Sequence, residues 1–134
     1  MRNRVQALSD SISCQNRRWW DGAVNEETGL RECDVALAVG ESAESYLNAA
    51  GVETELLQSD SLYDICEAAN SSDADIFVSI HCNAAEAEAA NGTETWACAG
   101  SYRGSVLASC IQSQLVDALD ITDRGVKIAT PGVN

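Results

Sequence analysis

The chain has 134 residues, 46% apolar and 22% charged, with 8 Lys+Arg against 21 Asp+Glu and a formal net charge of −13. That length fits one domain able to bury a core without staples. The acidic balance repels phosphate backbones and so argues against a nucleic-acid partner; it draws cations toward any acidic cleft, although a solvated acidic surface accounts for most of the excess.

The first twenty residues start basic but contain no apolar h-region, so no signal peptide is visible, and nothing in them reads as a strong strand. Residues 32–50 place Val35, Ala38, Val39, Ala43, Tyr46 and Leu47 on one face of a helix, with Gly51 as its stop. A short strand follows over 52–57. A second helix is predicted over 61–70, with Ser61 as N-cap and Leu62, Ile65, Ala68 and Ala69 facing inward. "DIFVSIH", 75–81, is apolar enough to be a parallel strand buried on both faces at the centre of a sheet, flanked by helices on both sides. "TETWACA", 93–99, alternates as a strand with one wetter face. Residues 105–120 form a third helix showing Leu107, Cys110, Ile111, Leu115 and Leu119 to the core. The C-terminus stops just where another strand could begin.

Alternating helices and strands predict an α/β fold, a single domain with a largely parallel sheet and helices on both faces. With only three strands visible, it looks incomplete at both ends. No apolar run reaches the length of a membrane span. The six cysteines (Cys14, Cys33, Cys66, Cys82, Cys98 and Cys110) include no C-x-x-C pair, which argues against a zinc ribbon or a thioredoxin-type site. They read as buried free thiols, which favours a reducing compartment.

The only histidine, His81, stands at the carboxyl end of the 75–81 strand, where open parallel sheets gather ligands. By position alone the usual reading of such a residue is a hydrogen-bonded structural histidine. Glu32 opens the first helix, and the helix dipole alone would favour an acidic residue there.

Taken together, several segments resemble the zinc-dependent N-acetylmuramoyl-L-alanine amidases, the cell-wall hydrolase family called amidase type 3. They are D-G-A at Asp21–Ala23, G-L-R-E at Gly29–Glu32, A-N at Ala69–Asn70 and A-D-I-F-V-S-I-H-C-N-A at Ala74–Ala84. G-T-E-T at Gly92–Thr95 and D-R-G-V-K at Asp123–Lys127 continue the match in order and spacing. The resemblance implies one Zn²⁺ held by two histidines and a glutamate, with Glu32 as the glutamate and His81 as the second histidine. It implies peptidoglycan as substrate, cut at the amide between N-acetylmuramic acid and L-alanine, with the metal polarising the carbonyl and acidifying water. Such a substrate implies the cell wall or the outside of a cell. Asn83, two residues beyond His81, reads either as a substrate-orienting group or as a cap on the strand end.

The sequence departs from the family in two places. The family's first zinc histidine lies in a G-H-G-G segment before D-x-G-A; counting back from Asp21 lands on Asn16 or Arg17, with Cys14 the nearest soft donor. Cys14 reads either as a substitute ligand or as buried filler. The family's general-base glutamate falls beyond Asn134, so no catalytic residue is assignable. The chain is therefore expected to comprise a divergent segment, 1–20, and a C-terminally truncated amidase-like domain, 21–134, with poor hydrolytic activity. The alternative is a non-catalytic peptidoglycan-binding or regulatory pseudo-amidase. A further alternative is an unrelated cytoplasmic α/β protein with a structural His81.

Overall fold

The computed structural model describes residues 4–9, 24–59, 61–82 and 91–130, the first of these segments as backbone. The chain forms two compact units, 1–84 and 85–134.

In the first unit, β1 (Arg4–Ser9), β2 (Glu53–Gln58) and β3 (Ile76–Ile80) make a parallel sheet in the order β2-β1-β3. Helix α1 (Glu32–Ala49) joins β1 to β2 and packs on all three strands, and α2 (Leu62–Ser71) joins β2 to β3. Each boundary has a local cause. Gly51 takes φ +81° after the last turn of α1, a conformation that costs a residue without Cβ little. The Ser61 hydroxyl accepts the Asp64 N–H at 3.1 Å and caps α2.

In the second unit, β4 (Thr93–Cys98) and β5 (Asp123–Ala129) pair in parallel, and α3 (Tyr102–Leu119) packs on both. Ser101 caps α3 by accepting the Gly104 N–H at 3.1 Å, and Asp120 closes it in the left-handed region at φ 50°. A buried glutamine ties the helix to the strands. Gln112, 4% exposed, donates Nε2 to the Thr93 carbonyl at 2.8 Å and to Asp123 Oδ1 at 2.6 Å, and its Oε1 accepts from Thr95 Oγ1 at 2.8 Å. Beside it, Gly92 at φ +114° lies so close to the Thr122 carbonyl that a Cβ would run into the oxygen. The register shifts between Thr93 and Thr95, with Gly125 at φ +80° in the facing stretch of β5. Gln112→Leu keeps the volume but strands these partners, and each unsatisfied buried group costs about 1–3 kcal/mol. Because the strand partners are only half-buried or exposed, we expect urea unfolding to show a loss of about 2–3 kcal/mol.

Several sequence expectations are corrected. The middle strand of the three-stranded sheet is β1, not the 76–80 strand, which pairs with β1 alone among the described residues. An apolar run reports what covers a strand's faces; it says nothing about which hydrogen-bonding edges are occupied. Nor are both faces of β3 buried, since Ile76 and Phe77 are exposed. β1 escaped notice because Arg4, Gln6 and Ser9 make half of RVQALS polar. A strand also exists where the C-terminus seemed to stop short: Asp123–Ala129 is β5.

The buried faces of the helices are rotated from those predicted. On α1 the buried residues are Cys33, Ala36 and Gly40, while Ala38, Val39 and Tyr46 are exposed. Small residues win here because the helix lies close to β2: a Cβ on Gly40 would stand 2.9 Å from a Leu56 methyl. On α3 the buried pair is Ala108 and Gln112, with Cys110, Leu115 and Leu119 exposed. On α2 Ile65 is buried as expected, but Leu62 is exposed. Among the described residues the cysteines are free, yet only Cys33 of them is buried; Cys66, Cys98 and Cys110 are exposed and Cys82 is half-buried, while Cys14 lies outside the described residues.

Candidate functional site

The order β2-β1-β3 reverses the direction of winding at β1. The chain leaves β1 toward β2 and returns on the other side as β3, so a crevice is expected at the carboxyl ends of β1 and β3. His81 immediately follows Ile80, the last residue of β3, and so lies at that edge.

Glu32 arrives there by a tight loop. Asn25 Oδ1 accepts the N–H groups of Glu27 and Thr28, both at 3.0 Å, and the Asn25 carbonyl accepts the Gly29 N–H at 2.8 Å. Gly29 takes φ +71°, and Val24 then pairs with Arg31 in an antiparallel bridge. Arg31 is held in turn by a bidentate pair with Asp34, at 2.7 and 2.8 Å. Glu32 is thereby fixed as the first residue of α1.

Its carboxylate does more than complement the helix dipole. Glu32 Oε1 stands 3.3 Å from His81 Nδ1 and accepts the Cys82 backbone N–H at 2.9 Å. On the other side of the imidazole, Nε2 is 2.9 Å from Ser79 Oγ. The Glu32 side chain is 15% exposed and that of His81 43%, so the pair sits at the mouth of the unit with one member sheltered. Burial first, and the Glu32 charge second, push the Cys82 thiol above its ordinary value. Glu32→Gln removes the second cause and lowers that pKa, so more thiolate exists at a given mildly alkaline pH. We expect Cys82 alkylation, followed by mass spectrometry, to be faster in that variant, with Cys66, Cys98 and Cys110 unchanged.

The spacing has a chemical meaning. Two donors each about 2.0–2.1 Å from one zinc ion at a tetrahedral angle stand about 3.3–3.4 Å apart. Glu32 and His81 supply a carboxylate oxygen and an imidazole nitrogen at 3.3 Å, a donor set that suits such an ion. Among the described residues no group of three metal donors converges. Asn83, Cys14, Asn16, Arg17 and Asp21–Ala23 lie outside the described residues. The sequence reading overlooked Ser79 and the Cys82 N–H. The first was within reach, since residues two apart share one side of a strand and S-I-H therefore sets a hydroxyl beside the imidazole.

Two other matched segments have structural work in the second unit. Glu94 of G-T-E-T and Arg124 of D-R-G-V-K form an ion pair at 3.0 Å, and Asp123 accepts from Gln112 and from the Gly125 N–H.

The N-acetylmuramoyl-L-alanine amidase family (amidase type 3) matches the chain over residues 10–133. The chain belongs to that family. It is 42% identical over 113 residues to the uncharacterized protein YqiI of Bacillus subtilis (strain 168), covering 79% of this chain and 53% of that one. It is 39% identical over 110 residues to the N-acetylmuramoyl-L-alanine amidase LytC of the same organism, covering 75% of this chain and 22% of LytC. The chain thus spans about half the length of the first curated relative and about a fifth of the second. Among solved structures, the N-acetylmuramoyl-L-alanine amidase of Clostridium difficile 630 superposes with a TM-score of 0.77 at 25% identity, covering 97% of this chain and 72% of that one. The CwlD amidase of Clostridioides difficile, solved with the GerS lipoprotein, shares the fold with a TM-score of 0.80 at 23% identity, covering 96% of this chain and 74% of that one. Among the described residues no helix is long and apolar enough to cross a membrane.

Proposed function

We propose that this chain is a peptidoglycan hydrolase domain whose zinc centre is built on Glu32 and His81, acting on the amide between N-acetylmuramic acid and L-alanine. The observation that carries the reading is the 3.3 Å approach of Glu32 Oε1 to His81 Nδ1, from elements 49 residues apart in sequence. When bound, zinc supplies Lewis-acid polarisation of the scissile carbonyl and acidifies water. The chain's own residues prepare the place. The Cys82 N–H holds one carboxylate oxygen of Glu32, the loop ending at Arg31 fixes the start of α1, and β3 presents His81 at the sheet edge.

Asn16 and Arg17, standing where the family carries its first histidine, favour a second reading, in which the cleft binds peptidoglycan and hydrolyses it weakly or not at all. Zinc titration of the wild type, Glu32→Ala and His81→Ala, combined with pelleting on purified cell walls, separates the two. Zinc binding lost in both variants supports the metal centre. Wall binding that persists in all three without zinc uptake in any supports the binding module.

A further inference from the structure

We propose that Ser79 is a positioning residue for His81, and that its hydroxyl exchanges the roles of donor and acceptor when a metal binds between His81 and Glu32. The proposal rests on the reading of Glu32 and His81 as zinc ligands. Ser79 Oγ lies 2.9 Å from Nε2, while Nδ1 faces Glu32 Oε1 at 3.3 Å. A neutral imidazole carries one N–H and one lone pair, so these two neighbours impose opposite demands on the ring.

Without a metal, the carboxylate is an acceptor and calls for a proton on Nδ1; Nε2 then accepts from the Ser79 hydroxyl. With a cation on the Glu32 side, Nδ1 must present its lone pair, and the ring proton belongs on Nε2, donated to Ser79 Oγ. One proton leaves Nδ1 and one is taken up at Nε2 through solvent, with no net change. A hydroxyl serves both states by rotating about its Cβ–Oγ bond, because it is donor and acceptor at once. Metal-bound histidines commonly have their second nitrogen tied in this way. The His81 side chain is 43% exposed, and the strand-borne Ser79 contributes, with Glu32 on the other nitrogen, to holding the ring.

The single histidine makes the test direct, because all imidazole signals belong to His81. Two-bond ¹H–¹⁵N spectra of the labelled protein, recorded with the ring neutral, report which nitrogen bears the proton, and a chelator competition gives zinc affinity. In the wild type we expect Nδ1–H without metal and Nε2–H with Zn²⁺. Ser79→Ala should show mixed tautomers without metal and bind zinc about 10–100-fold more weakly, and Ser79→Thr, which keeps the hydroxyl, should restore both. Backbone amide spectra confirm that the variants are folded. If Ser79→Ala matches the wild type in tautomer and zinc affinity, the proposal is overturned while the zinc centre stands. If zinc leaves the ring nitrogens of the wild type unmoved, the zinc centre and the proposal fail together.

Discussion

His81→Ala is expected to lower zinc affinity roughly 10²–10³-fold, with Glu32→Ala close behind. Structural zinc sites with four ligands bind with about 10–16 kcal/mol, or about 2.5–4 kcal/mol per donor, which is the stated factor. The two losses should not add. Once either donor is gone, the other has no partner at 3.3 Å with which to chelate, so the double variant should resemble each single one. Chelator competition measures the affinities, and unfolding in zinc-free buffer checks that the variants fold. The controls are Glu94→Gln and Asp117→Asn, acidic residues of the second unit that take no part in holding Glu32 or His81. Zinc affinity that falls equally in these controls would mean that the acidic surface, rather than the His81–Glu32 pair, attracts the ion.

The convergence of Glu32 and His81 was legible in the sequence only through the resemblance of G-L-R-E and S-I-H to the family's ligand motifs, each tied to an element boundary. G-L-R-E leads into α1 through Gly29 at positive φ, and S-I-H ends β3, so two local signals fix two positions along the chain. What brings them together is the sheet, and its order was not legible. β1 is the middle strand, yet its polar positions hide it, because membership depends on neighbours supplied by residues 53–58 and 76–80. The helix faces failed for a related reason. Hydropathy favours the bulky Val35–Val39 stripe of α1, whereas the buried residues are the small Cys33, Ala36 and Gly40, the last of them set close against Leu56. The Gln112 network is a third case. A glutamine in an amphipathic helix reads as solvated, and only the carbonyl of Thr93 and the side chains of Thr95 and Asp123, from two other elements, make its burial affordable.

Purified cell walls carrying a covalent dye are expected to release it about 10²–10³-fold more slowly with this chain than with an amidase holding two histidines and a glutamate, at equal micromolar zinc. The reason lies inside the sequence. His81 is the only imidazole in this sequence, and by the family resemblance, counting back from Asp21, the first histidine is expected where Asn16 or Arg17 stands. A guanidinium stays protonated and cannot donate to a cation, and a carboxamide is not among zinc's usual ligands. Catalytic zinc sites use three protein donors and leave one position for water or substrate, so one missing donor lowers occupancy before it alters chemistry. Raising the zinc concentration should therefore recover part of the release, and Glu32→Ala or His81→Ala should abolish what is recovered. Zinc-dependent release at the rate of a complete site would show that another residue supplies the third donor, and Cys14→Ser would then be the first variant to test. Release that ignores both zinc and the two substitutions would remove Glu32 and His81 from the reaction altogether.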